Sequence, residues 1–218
     1  TADYLHPLVS DKVVSYPGYH ELAYLHPNRF NPDISVLNEL GVKKGEKYVI
    51  MRFVSWNASH DICHKGISLE NKIKAVHEFE KGAKVFISSE QPLPDQLEKN
   101  RIRIAPYKIH HVLAFASLFF GESATMAAEG ACLGVPGIYL DNKGRLYTKE
   151  LEEKYGLCYN YSESGYDQEM AIQKGCQLLK YDKDDLKREF ARKRLKLISE
   201  KIDVTAFLVT FIEQNIKD

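Results

Sequence analysis

The chain lacks an excess of either charge. Thirty Lys and Arg residues are matched by thirty Asp and Glu. That balance argues against a nucleic-acid binder working through a basic surface and gives no pull toward anionic membrane. Long hydrophobic runs are missing too. The longest, Val112 to Phe120, is interrupted by Ser117 and reaches about half of the ~20 residues that span a bilayer, so it reads as core and no transmembrane segment is expected. Thr1-Ala2-Asp3-Tyr4 has neither the basic nor the apolar region of a cleavable signal. No two of the four cysteines (Cys63, Cys132, Cys158, Cys176) form a Cys-x-x-Cys pair; they read as isolated reduced thiols, and a cytoplasmic location is expected. Internal repeats, low-complexity stretches and a Gly-Lys-Ser/Thr phosphate loop are also absent.

What is present is an alternation of strand and helix signals, in a chain whose 44% hydrophobic content suffices for a packed core. Residues 1–46 are rich in Pro, Tyr, His and Asn and read as a linker, the remnant of a missing N-terminal half. β-branched and aromatic runs predict strands at Lys47–Val54, Lys84–Ser88, Arg101–Ala105, Ser117–Phe120, Gly137–Leu140 and Leu157–Tyr161. Between them lie predicted helices at Leu69–Lys81, His111–Ala116, Ala124–Leu133 and Thr148–Tyr155, with three more at Asp167–Leu179, Lys183–Ser199 and Val204–Asn215. Six alternations imply a parallel sheet with helices on both faces and right-handed crossovers. The expected fold is therefore an α/β, Rossmann-like domain over residues 47–200, with 201–218 as a C-terminal helix. Ligands of such sheets bind at the carboxyl ends of the strands.

One strand-to-helix loop carries a chemical signal. After the strand come Gly121, Glu122, Ser123, Ala124 and Thr125, then helix. The first amides of a helix have no internal partners and suit a phosphate; Ser123 and Thr125 add hydroxyls. Glu129, four residues beyond Thr125, shares its helix face and could accept hydrogen bonds from both hydroxyls of a ribose. The plainer reading is that Ser123 only caps the helix and Glu129 is an ordinary solvated side chain. Arg52, near the end of the first strand, could hold a diphosphate. In the loop that follows, His60 and Asp61 are candidate catalytic groups, His60 because an imidazole titrates near neutrality. Lys65, Gly66 and the start of the Ser68 helix make a second candidate anion site. His60, Asp61, Cys63 and His64 crowd four potential ligands into five residues. They do not converge easily on one tetrahedral ion, so no metal is expected.

The stretch GESATMAAEGACLGVPGIYL resembles the signature of GT-B-fold glycosyltransferases and of the related UDP-N-acetylglucosamine 2-epimerases, including the Leu133-Gly134-Val135-Pro136 ending. By that resemblance Ser123, Ala124 and Thr125 sit where the family grips pyrophosphate, and Glu129 where it grips ribose. Tyr107, Ile109 and His110 lie in the loop that receives the nucleobase. The epimerases usually carry Gly-Gly where this chain has Ala124-Thr125. More specifically, the chain resembles the DUF354 family. That likeness rests on Tyr24-Leu25-His26-Pro27-Asn28-Arg29-Phe30, on Arg52-Phe53-Val54 with Asn57-Ala58-Ser59-His60-Asp61, and on Gly121 to Met126.

The resemblance implies the donor-binding half of a GT-B protein, binding a nucleotide-sugar (a UDP-sugar first of all) and transferring its glycosyl group when joined to the N-terminal half. No cofactor is required, and this stretch alone is expected to be inactive. A sugar-nucleotide epimerase or hydrolase of the same fold and a non-catalytic binding or assembly module are the alternatives. The apolar face of the last helix (Phe207, Leu208, Phe211, Ile212) would meet the missing half or pair two copies.

Overall fold

The computed structural model describes residues 2, 13–43, 45–54 and 65–216. Two four-residue helices come first, α1 (Leu22–Leu25) and α2 (Val36–Glu39). The alternating body follows: β1 (Tyr48–Phe53), α3 (Leu69–Glu80), β2 (Lys84–Ser89), α4 (Asp95–Glu98), α5 (Ile109–Leu113), β3 (Leu118–Gly121), α6 (Ala124–Leu133), β4 (Gly137–Leu140), α7 (Leu146–Glu153) and β5 (Cys158–Tyr161). Three long helices close it: α8 (Gly165–Lys180), α9 (Lys183–Glu200) and α10 (Val204–Asn215).

All five strands are parallel, in the order β2-β1-β3-β4-β5. Strands β3 and β4 are buried along their whole length, and β1 nearly so, as expected of parallel strands covered on both faces. Helices α3 and α8 pack on one face; α6 and α7 pack on the other, with α9 and α1 against α6. The Rossmann-like α/β expectation is met.

Several local signals set the element boundaries. The Ser68 side chain caps α3 through the Asn71 amide, Ser164 caps α8 through Asp167, and Asp203 caps α10 through Ala206. Gly134 ends α6 in the left-handed region, φ +80°. Gly175 lets α8 approach α3: a Cβ there would stand 2.6 Å from the Phe79 ring, which itself packs edge-on to Phe120 at 5.2 Å.

The strand expected at Arg101–Ala105 does not form. Only Arg101 pairs, in an isolated parallel bridge to Ile87, through Ile87 N to Asn100 O and Ile102 N to Ile87 O. Ile102 to Ala105 add no further bridge, and Pro106, with no amide to donate, then starts a 3-10 turn. The helix expected at His111–Ala116 runs instead as that turn followed by α5, two residues earlier, because Pro106 suits a first turn.

The segment read as a linker packs into the body. Tyr19, Leu22, Leu25 and Val36 are buried in the same core. Tyr19 donates to Glu150 Oε2 at 2.5 Å, and Lys201 Nζ meets the other oxygen at 3.0 Å. Thr205 Oγ1 donates to Ala23 O at 2.6 Å, Ile202 N to Pro17 O at 3.0 Å, and Arg29 pairs with Asp203 at 2.7 Å.

Candidate functional site

The chain leaves β1 toward β2 on one side and β3 toward β4 on the other. Neighbouring β1 and β3 are therefore the switch point of the sheet, the place where open α/β sheets bind ligands beyond the carboxyl ends of their strands. Helix α6 begins there. Its Ser123 side chain accepts the Met126 amide at 3.2 Å, so Ser123 is the N-cap. The Ala124 and Thr125 amides take no protein acceptor among the described residues, and Thr125 is exposed. Ala124 itself is buried and Thr125 lies at the surface, and the dipole of α6 adds partial positive charge at this end of the helix. The phenol of Tyr147 has its pKa pushed up to about 12, chiefly by burial and then by the charge of Glu21, with Thr125 opposing.

One turn deeper, Glu129 is only 6% exposed and is not a freely solvated residue. Its Oε1 accepts from Tyr24 at 2.9 Å and meets His110 Nε2 at 2.8 Å. Its Oε2 has no protein partner among the described residues. The His110 ring lies against Tyr24 (5.3 Å between centroids) and edge-on to Phe30 (6.3 Å). Beside this group Glu21 is equally buried, and its Oε2 finds no partner among the described residues. Burial, reinforced by the charge of Glu129, raises the Glu21 pKa against the opposing pull of its own amide and His20. Sequence reasoning missed Glu21 and Tyr147. They sit on other elements, and no spacing links them to Glu129.

Three residues of the predicted phosphate grip have structural duties. Glu122 is 3% exposed. Its Oε2 accepts the Val54 amide at 2.9 Å, and its Oε1 accepts the Ile67 amide at 2.6 Å and pairs with Lys72 at 3.2 Å. It thus ties together the two ends of the β1–α3 connection. Gly121 sits where a Cβ would stand 2.2 Å from the Arg52 carbonyl oxygen; close strand approach, not a left-handed turn, requires glycine there. The Arg52 guanidinium turns along the sheet edge to Ser88 Oγ at 2.8 Å and Glu90 Oε1 at 2.7 Å.

The second anion site is filled by the protein itself. Lys65 N and Gly66 N both donate to Glu163 Oε2, at 2.7 and 2.9 Å, and Ser68 N donates to Gln168 at 3.1 Å. A carboxylate from the β5–α8 connection satisfies the donors that a ligand anion was expected to meet. His60, Asp61, Cys63 and His64 lie outside the described residues. Among the described residues no cluster of His, Cys, Asp and Glu could hold a metal, and no helix is long and apolar enough to cross a membrane. Tyr107 is exposed and Ile109 half-buried. The neighbouring His111 accepts the Asp33 amide at 2.9 Å and packs on Phe30 at 4.8 Å, locking α5 to the N-terminal segment. The sequence reading treated His110 apart from Glu129; the structure joins them.

Comparison by sequence finds no matching family model and no matching curated protein. Comparison by structure finds several solved proteins. A spinosyn rhamnosyltransferase complexed with thymidine diphosphate superposes with a TM-score of 0.58 at 13% identity, over 97% of this chain and 54% of that one. Os79 from O. sativa, in complex with UDP and deoxynivalenol-3-glucoside, gives 0.56 at 15%, over 88% and 47%. A protein assigned as a UDP-N-acetylglucosamine 2-epimerase from Listeria monocytogenes gives 0.56 at 14%, over 84% and 49%. The chain spans about half the length of each. At these identities the likeness is one of fold: a Rossmann-like unit matching one half of a GT-B protein.

Proposed function

We propose that this chain is the nucleotide-sugar-binding half of a GT-B glycosyltransferase-like protein of the DUF354 type, and that a UDP-sugar is its first-choice ligand. The observation that carries the reading is the start of α6. At the sheet's switch point the amides of Ala124 and Thr125 have no acceptor among the described residues, and on the same helix face Glu129 has a carboxylate oxygen with no partner among them. The diphosphate would lie on those amides, with the Ser123 and Thr125 hydroxyls beside it. One ribose hydroxyl would donate to Glu129 Oε2. The base would extend over the turn at Tyr107 and Ile109.

In this reading the helix dipole and amides stabilise the charge that gathers on the leaving nucleoside diphosphate, without any cofactor. The acceptor would come from the other half of the cleft, with His60 or Asp61 as proton carriers. That second half would also cover the exposed apolar side chains of α10, Leu208, Val209 and Ile212, unless two copies pair through them. The solved structures support the fold of this reading, and two of those proteins are described with nucleoside diphosphates bound.

Calorimetric titration with UDP and UDP-sugars, at protein concentrations suited to millimolar affinity, tests it. Weak binding without turnover by this chain is the expected result. Absence of heat with every nucleotide overturns it.

A further inference from the structure

Glu21 is a buried carboxyl that the proposed binding reaction does not use. It is 6% exposed, and its Oε2 has no partner among the described residues. It caps α1, whose first turn closes on it: Tyr24 N and Leu25 N donate to Glu21 O at 3.3 and 2.9 Å. Glu21 and Tyr24 are thus three residues apart on one helical turn and share a face. From that face Tyr24 reaches Glu129 at 2.9 Å, and the charge of Glu129 acts on Glu21. Two buried carboxyl groups therefore lie at the junction where α1 packs on α6.

Tyr16 and His20 of the N-terminal segment, Tyr24 of α1, Glu129 and Cys132 of α6 and Tyr147 of α7 are the titratable groups that act on Glu21 or feel its charge. His110 of α5 adds its ring to Glu129. Burial keeps the three phenols and the thiol neutral. Arg194 acts on Cys132 and Arg145 on Tyr147, but no Lys or Arg pairs with Glu21 among the described residues. As pH rises, the imidazoles lose positive charge and the carboxyls gain negative charge. Every such step works against the junction, in surroundings where like charges are poorly screened.

We infer that Glu21 is a proton-operated latch: protonated, it lets α1 seat on α6 and cover Glu129; ionised, it sets a second negative charge beside Glu129 and loosens Tyr24 and His110 from that carboxylate. The opening is local to this face of α6. The same segment is held to the α10 side by Thr205 Oγ1 to Ala23 O at 2.6 Å and by Arg29 to Asp203 at 2.7 Å. Arg29 keeps the Asp203 carboxyl below its usual range, so these contacts stay in force as pH rises. The latch works whichever ligand α6 receives.

Hydrogen exchange read by mass spectrometry, on the whole chain at pH 5.5 and pH 8.5 and corrected for intrinsic rates, tests it in the wild type and in Glu21→Gln. Wild-type peptides covering α1 and α6 should open about 10-fold more at pH 8.5, the factor that accompanies a one-unit pKa difference between closed and open forms. Helices α3, α8 and α10 should keep their protection. In Glu21→Gln, which cannot ionise, the rise at α1 and α6 should vanish. Equal protection of α1 and α6 at the two pH values in the wild type overturns the latch. A rise spread evenly over the chain, or one that persists in Glu21→Gln, overturns it as well. The wild-type arm decides even if the variant does not fold.

Discussion

The phenol of Tyr24 donates to Glu129 at 2.9 Å, a contact that joins residues 105 apart in sequence. It fastens the N-terminal segment to the helix that opens the candidate site. It also settles one oxygen of a buried carboxylate, while the other has no protein partner among the described residues. Tyr24→Phe removes this bond and keeps the ring packing on His110. The expected cost is about 1–2 kcal/mol, the range for a hydrogen bond near a charged acceptor. Urea unfolding of both proteins at one pH measures it; equal midpoints would show that the bond contributes nothing.

Glu122 has a different duty. Two amides and Lys72 converge on its carboxylate. In Glu122→Gln an NH2 group must face one of those amides, and Lys72 loses its counter-charge. The variant is expected to lose about 3 kcal/mol or more, as when one partner of a buried pair is removed. Hydrogen exchange at Val54 and Ile67 should rise well beyond that of the rest of the sheet. Uniform exchange across the sheet would argue against a local clamp.

Glu21 makes stability depend on pH in a definite direction. Burial raises its folded pKa above the ordinary carboxylate value, with Glu129 adding to the effect. A raised folded pKa means that the native state favours the protonated form. The contribution is fully present below the unfolded pKa and is lost as pH rises through the folded one. Glu21→Gln keeps the neutral shape and cannot ionise. Its stability relative to wild type should therefore be greater at pH 8 than at pH 4. Thermal melts of both proteins across that interval decide it, and a constant difference would show that Glu21 does not titrate in this way.

Gly121 tests the sheet geometry. A Cβ at this position meets the Arg52 carbonyl at 2.2 Å, and that backbone is held on both sides by β2 and β3. Gly121→Ala should destabilise by about 3 kcal/mol, the upper end of ordinary overpacking. Gly82→Ala, where a Cβ meets nothing within 4 Å, serves as the control. Similar denaturation midpoints for the two variants would contradict the close approach.

Much of the fold was legible in one dimension. The residues of α6, β4 and α10 follow from local signals alone: the caps at Ser123 and Asp203, the left-handed Gly134, and apolar runs of the right length. The Arg101–Ala105 run was misread for an instructive reason. Its residues favour a strand, yet a strand forms only against a partner, and the run makes a single bridge to Ile87 before Pro106 starts a turn. The short helices α1, α2 and α4 left no signal, because four residues are too few to show a period.

The sequence by itself determined the order of strands and helices and the place where α6 starts, since capping and hydrophobic periodicity act between residues a few positions apart. It also determined that Thr125 and Glu129 share a helix face. Only the tertiary structure decided what stands opposite that face: Tyr24 and His110 on Glu129, and beside them Glu21, whose Oε2 has no partner among the described residues. It likewise decided that Glu122 clamps a loop and that Glu163 fills the donors at Lys65 and Gly66. Apolar patterning tells each element which side to bury; it does not record which distant polar group will be waiting there.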